Sequence, residues 1–285
     1  MSSPRRIGDL SVFAIGLGAM PLSVPPHPEP DRARATIHAA LDAGVTLIDT
    51  ADAYSPDGVL GHNEQIVADG LRTYGGDTSS VLVATKGGHT RDGDDWGLNG
   101  RPEYLRSACE ASLKTLDVDS IGLYQHHRPD PDVPYAETLG GLAALLEAGL
   151  VQRVGLSNAD PDQIRLAADM LGDGLVSVQN QLSPAFRSSL PELELCAELG
   201  LAFLPWSPLG GMGSAAELGS DHEAFAAVAK QHEVSAQQVC LAWLLALSPA
   251  CIPIPGASRP ETIRDSVAAT QLTLSQDEID TLSAR

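Results

Sequence analysis

Three apolar runs in this 285-residue chain stop abruptly on groups that are costly to bury alone. VTLIDTADAY (45–54) ends on Asp49, Asp52 and Tyr54, VLVATK (81–86) on Lys86, and IGLYQHH (121–127) on His126 and His127. A phenol, an ammonium, a carboxylate and an imidazole together suit proton transfer. Tyrosine titrates at about 10 in isolation and is a poor acid at neutrality. A neighbouring ammonium favours the phenolate, so Lys86 is expected to lower the pKa of Tyr54. A buried lysine discharges unless a carboxylate supports it, and Asp49 at the adjacent strand end is placed to do so. His127 is expected to donate a hydrogen bond to the same substrate oxygen and, if charged, to strengthen Tyr54 as a proton source. Singly, a strand-end lysine is ordinarily a solvated charge and a lone histidine a structural residue. Their coincidence is what points to catalysis.

Positioning such groups requires strands whose ends converge. Short β-branched runs recur at 15–20, 45–49, 81–86, 121–127, 151–158, 176–181, 201–208 and 251–256. Stretches with helical apolar spacing separate them. Asp31 is expected to cap the helical segment running to Gly44. Further helices should open at Arg101-Pro102-Glu103, Pro134, Asp160-Pro161, Pro191, Ser235 and Pro260. Eight strand–helix units with apolar strands predict a single (β/α)8 TIM barrel domain over residues 1–285. RRIGDLSVF, turning at Gly8-Asp9, predicts an N-terminal β-hairpin at the barrel floor. An open doubly wound sheet is disfavoured because GLGAMP (16–21) has proline where the third glycine of a phosphate turn belongs. GMGSAA (211–216) fits that turn only formally, since loop residues separate it from its strand.

Net charge is −19, from 18 Lys+Arg against 37 Asp+Glu. Such a surface repels a polyanion, so no nucleic-acid partner is expected. Cys109, Cys196, Cys240 and Cys251 are scattered without a C-x-x-C pair, which fits a reducing compartment. MSSPRRIGDL lacks a signal-peptide core and no run is long enough to span a bilayer, so the expected location is cytoplasmic, away from membranes.

The remaining strand ends carry Ser157 and Asn158, Gln179 and Asn180, Trp206 and Ser207, and Gly256 through Arg259. DTADAY, ATK and LYQHHRP, with GLGAM, GLSN (155–158), VQNQ (178–181), PWSPLGGMG and IPGASRPE, resemble the aldo/keto reductase family in order and spacing over nearly the whole chain. The resemblance implies NAD(P)H-dependent reduction of a small-molecule carbonyl. Tyr54 would protonate the carbonyl oxygen, Lys86 and Asp49 would tune it, and His127 would orient the carbonyl. His126 is set aside, because the family's histidine stands three residues after the tyrosine of L-Y-x-x-H, here Tyr124. Strand alternation also turns the His126 side chain the other way.

The resemblance also assigns the cofactor's surroundings. Ser157, Asn158 and Gln179 match positions that hold the nicotinamide carboxamide, and Trp206 matches the aromatic stacked under the ring. Gly18, Ala19, Met20 and Asp49 are further implied contacts. Ser207, Pro208, Leu209, Gly210 and Gly211 would line the pyrophosphate loop, where glycine permits close backbone approach. Gly256, Ser258 and Arg259 would meet the adenosine phosphate, with Arg259 anchoring a 2′-phosphate, so NADPH is the implied cofactor and NADH the second candidate. Thr262 stands where many members carry arginine or glutamine, and Ser266 where asparagine often contacts adenine. Met20, Tyr54, Trp96 and His127 are the expected substrate walls; Trp96, in TRDGDDWGLNG, has loop packing as its alternative role. The long C-terminal tail that shapes large pockets in some members has no counterpart after LTLSQDEIDTLSAR, which implies an open pocket.

Other chemistries fit less well. GLSNA (155–159) misses the nucleophile elbow at Ala159. His222-Glu223 and His232-Glu233 both lack the second histidine of a zinc site, so no metal is expected. The alternative within the same fold is a cofactor-binding regulatory subunit with little turnover.

Overall fold

The computed structural model describes residues 3–284; Met1, Ser2 and Arg285, the ends of the expected 1–285 unit, lie outside them. β1 (Arg5–Ile7) and β2 (Leu10–Val12) pair antiparallel across a turn at Gly8, whose φ of +56° suits glycine. β3 (Leu17–Gly18), β4 (Leu47–Asp49) and β5 (Leu82–Gly87) begin a parallel sheet. β6 (His89–Asp92) and β7 (Asp95–Leu98) form a separate hairpin, where the sequence had suggested only a loop. β8 (Leu123–His126), β9 (Val154–Ser157), β10 (Leu175–Gln179) and β11 (Ala202–Phe203) complete the sheet in the order β11-β10-β9-β8-β5-β4-β3.

The two edges of this curled sheet meet through residues 251–256. Phe203 bridges Cys251 and Gly18 bridges Gly256, both in parallel sense. Ile252 N donates to Phe203 O at 2.8 Å on one side, while Gly16 N and Gly18 N donate to Pro253 O and Pro255 O at 2.9 and 3.0 Å on the other. The expected strand is therefore present as a stave without a full ladder. Pro253 and Pro255 have no N–H to give back to β3. The result is a (β/α)8 barrel.

Helices α1 (Pro30–Asp42), α2 (His62–Thr73), α3 (Pro102–Leu116), α4 (Tyr135–Glu147), α5 (Pro161–Leu171) and α6 (Leu190–Leu199) alternate with the strands. α7 (Leu218–Asp221), α8 (Glu223–His232), α9 (Ala236–Leu247), α10 (Pro260–Ala268) and α11 (Gln276–Ser283) follow. α5 starts with a capping box between Asp160 and Gln163, and Ser235 caps α9. α1 starts two residues earlier than expected: Pro30 opens it, Glu29 is the N-cap, and Asp31 lies in the first turn.

Ile7 and Val12 of the hairpin join Leu47, Leu82, Leu123, Val176 and Ile252 in the core inside the barrel. Because Leu47, Leu82 and Leu123 are the first residues of their strands, the hairpin closes the end from which the strands start. Arg5 secures it by donating to Leu245 O and Ser248 O. The opposite end is left open for chemistry. All four cysteines are buried and unpaired; burial pushes the Cys109 and Cys196 thiols up to about 12 and those of Cys240 and Cys251 higher still. Among the described residues no helix is long and apolar enough to cross a membrane.

Candidate active site

Asp49, Lys86 and His127 stand at or just beyond the ends of β4, β5 and β8, and Tyr54 follows five residues after Asp49. Lys86 is fully buried. Its Nζ donates to Asp49 Oδ1 at 2.6 Å, to Thr50 O at 2.8 Å and to Tyr54 Oη at 3.3 Å. All three ammonium hydrogens are thereby used, which is what a buried lysine requires. The second Asp49 oxygen accepts from Gln179 Nε2 at 2.7 Å and Gln125 Nε2 at 3.0 Å. The ion pair is thus hydrogen-bonded on both sides, the condition under which a buried pair is tolerated.

The loop carrying Tyr54 is fixed from α2. Asn63 Nδ2 donates to Ala19 O and Ser23 Oγ, its Oδ1 accepts from Thr50, and Ser23 Oγ donates to Tyr54 O. The Tyr54 and His127 rings meet edge to face at 5.5 Å and 82°. Asn158, held at φ +59°, donates from Nδ2 to His127 O at 3.0 Å. That amide nitrogen therefore positions the histidine backbone.

Two electrostatic expectations need correction. Burial raises the Tyr54 pKa above 10.0; Lys86 pulls downward as expected but does not prevail, and Asp49 and Asp52 add to the rise. The phenol is a neutral O–H at physiological pH. Burial, then Lys86, His89, His126 and Arg128, holds His127 well below 6.5, so the imidazole is neutral rather than charged. Its Nδ1 is buried with no hydrogen-bond partner among the described residues. A single ring proton is accordingly better placed on Nε2, where a ligand oxygen can accept it. Burial acts to discharge Lys86, but Asp49 and Tyr54 outweigh it and keep its pKa above 10.5.

Asp49, Tyr54 and His127, with Lys86 buried behind them, face a cavity of about 280 Å³. It brings together Gly18, Met20, Asp49, Tyr54, Trp96, His127, Ser157, Asn158, Gln179, Trp206, Ser207, Pro208, Leu209, Gly211 and Gly256 from the sequence expectations. Ala19, Gly210, Ser258, Arg259, Thr262 and Ser266 lie outside that lining. Arg259 Nε donates to Thr262 Oγ1 at 3.0 Å at the start of α10. Ser266 is buried, its hydroxyl donating to Thr262 O within the helix. Gln179, expected at the carboxamide, spends its amide N–H on Asp49. His126 is buried away from the cavity, as alternation required, with its ring near Tyr135.

The arrangement fits a dinucleotide. Trp206 lines the cavity, and its buried Nε1 has no partner among the described residues. Beyond it Ser207, Gly210 and Gly211 have φ of +48°, +91° and +99°. Such a loop turns backbone toward a ligand, and glycine leaves room for it. Trp96 is both wall and surface, lining the cavity while 46% exposed.

Sequence reasoning missed Gln125, whose amide reads as an ordinary strand residue, and His89 and Arg128, which also line the cavity. The signal for His89 was its place three residues beyond Lys86, in TKGGH. It also missed the state of Asp52. Both carboxyl oxygens there are buried without a partner among the described residues, and burial, then Glu64, raises the pKa well above 3.8.

Comparison with known proteins agrees with the fold. A sequence profile of the Aldo/keto reductase family matches residues 14–284. The chain belongs to that family. It is 34% identical to an uncharacterised oxidoreductase of Schizosaccharomyces pombe over 277 residues, covering 95% of this chain and 86% of the relative. It is 33% identical to a probable aldo-keto reductase of Glycine max over 270 residues, 85% of this chain and 76% of the relative. Among solved structures, an aldo-keto reductase from Klebsiella pneumoniae in complex with NADPH superposes with a TM-score of 0.82 at 26% identity, covering 99% of this chain and 94% of that one.

Proposed function

We propose that this chain, acting as one barrel domain, is an NADPH-dependent oxidoreductase that reduces an aldehyde or ketone to the alcohol. The observation that carries the reading is the buried Tyr54 Oη, 3.3 Å from a Lys86 ammonium that is itself held by Asp49. NADPH, when bound, supplies the hydride to the carbonyl carbon. Tyr54 gives its proton to the carbonyl oxygen. Lys86 stabilises the phenolate left behind, and Asp49 keeps Lys86 charged while that happens. His127 donates from Nε2 to the same oxygen and fixes the carbonyl's orientation.

Trp206 carries the nicotinamide ring on its face, with Ser157 and Asn158 at the carboxamide, and Met20 and Trp96 flank the substrate. The 207–211 loop takes the pyrophosphate. Arg259, with Ser258, Thr262 and Ser266 nearby, takes the adenosine end, which supports NADPH over NADH. A chain with scattered free cysteines suits the reducing cytoplasm.

The test follows NADPH absorbance with a panel of aldehydes and ketones for wild type and Tyr54→Phe. Wild type should turn over; the variant should lose about 10²- to 10⁴-fold in kcat while still quenching NADPH fluorescence. An unchanged rate in Tyr54→Phe removes it as the acid. A wild type that binds NADPH but reduces nothing favours the regulatory-subunit role.

A further inference from the structure

Two neutral imidazoles stand side by side at the reacting position, and their free nitrogens have opposite hydrogen-bonding character. His89, the first residue of β6, has its ring centroid 4.4 Å from that of His127, with the planes at 82°, and both rings line the cavity. Across the β6–β7 hairpin His89 Nδ1 lies 2.9 Å from Gly97 O. A carbonyl oxygen can only accept, so the ring proton sits on Nδ1 and Nε2 keeps a bare lone pair. Burial, together with the charges of Arg128, Arg91 and Lys86, outweighs the Gly97 bond and holds His89 below 6.5, so a second proton is not taken up at neutral pH.

The ring is also fixed in place. Trp96 contacts it edge-on at 5.2 Å, and Tyr104 Oη donates to His89 O at 2.7 Å. Arg91 ties the hairpin to the Tyr54 loop by donating to Ala53 O and Ser55 O. Among the described residues nothing donates to His89 Nε2. The cavity therefore offers donors, Tyr54 Oη and His127 Nε2, beside a fixed acceptor. A carbonyl oxygen with a hydroxyl on the neighbouring carbon is the complementary pattern, an acceptor next to a donor.

We propose that His89 is a specificity-determining residue that accepts a hydrogen bond from a hydroxyl on the carbon adjacent to the carbonyl. The site then prefers α-hydroxyaldehydes and α-hydroxyketones, and vicinal diols in the reverse direction. This rests on the carbonyl-reductase reading above. A site built to pair a substrate O–H discriminates against analogues that lack it, because its own polar group is then left unpaired.

Three ketones of similar size separate the contributions. Hydroxyacetone has the hydroxyl, methoxyacetone has a similarly electron-withdrawing oxygen without the proton, and butan-2-one has neither. With NADPH saturating, kcat/KM is measured for each in wild type and in His89→Phe, which keeps a ring against Trp96 and His127. The ratio of hydroxyacetone to methoxyacetone should fall roughly fivefold to tenfold in the variant, mainly through KM for hydroxyacetone, with the other two ketones little changed. An unchanged ratio, or an equal fall for all three as a packing role would give, overturns the proposal. If His89→Phe does not fold, ¹⁵N-labelled wild type loaded with NADPH gives the answer. The His89 Nε2 resonance should move with hydroxyacetone and not with methoxyacetone, and a resonance that responds to neither overturns the proposal. A wild type that reduces no carbonyl at all is a separate result, which removes the reductase reading and this inference with it.

Discussion

Tyr54 and His127 are displaced in opposite directions from neutrality. Burial lifts the phenol above 10.0 against the pull of Lys86, and burial with neighbouring cations drops the imidazole well below 6.5. Between those two values neither group changes charge. We predict that kcat for reduction is flat across that window and falls as pH rises through the Tyr54 value, because the proton to be donated is then gone. A profile at saturating NADPH and carbonyl checks this, and an inflection of kcat near 6.5 contradicts it. Asp52 has its own pH signature. Its folded pKa is raised, so above 3.8 the unfolded chain loses a proton that the folded chain keeps, and stability falls as pH rises from 3.8 towards the folded value. Asp52→Asn removes that dependence. Urea unfolding should find the variant close to wild type near pH 4 and more stable at about pH 8, by the order of 1 kcal/mol. Residue types announced Asp49, Tyr54, Lys86 and His127, because charged and phenolic groups ending apolar runs are conspicuous. Gln125 and Gln179, which complete the Asp49 shell, were not legible as such, since an amide carries no period or charge. Nor was the direction of the Tyr54 shift, which is decided by how much protein surrounds the ring.

The β6–β7 hairpin is tied to the Tyr54 loop through the Arg91 side chain. Arg91 donates to Ala53 O and Ser55 O on the Tyr54 loop, and its guanidinium lies 4.2 Å over the Trp96 ring. Charged hydrogen bonds of this kind contribute about 1.5–3 kcal/mol. Arg91→Ala should loosen the hairpin and raise KM for the carbonyl roughly tenfold while leaving NADPH affinity unchanged, which steady-state kinetics and fluorescence titration measure separately. Uniform loss of cofactor affinity would instead mean that the hairpin supports the barrel mouth as a whole. This element was hard to read: TRDGDDWGLNG has no alternation and Thr90 as its one β-branched residue, and its order comes from carbonyls on another loop. Helix starts were easier to read where proline or a capping side chain marks them. Pro102, Pro161, Ser235 and Pro260 each open or cap the helix expected of them.

At the scale of the whole molecule, strand–helix alternation implied a closed cylinder, but not how thin its last seam is. Leu17–Gly18 and Ala202–Phe203 are the short remnants of longer expected strands, and the stave between them carries two prolines. Gly18 sits on that seam: a Cβ there would stand 2.7 Å from Ile254 O, a backbone atom that cannot move aside. Gly18→Ala should therefore lower stability by about 1–3 kcal/mol and weaken NADPH binding, since Gly256 across the seam lines the cavity. Urea unfolding and a fluorescence titration report the two effects, and an unperturbed variant would mean that the seam yields more easily than its geometry suggests. The buried, protonated thiols have a practical consequence of another kind. Alkylating reagents and mild oxidants should leave the native protein untouched, so a single cysteine engineered on its surface will accept a spin label or fluorophore without prior removal of the four it already has.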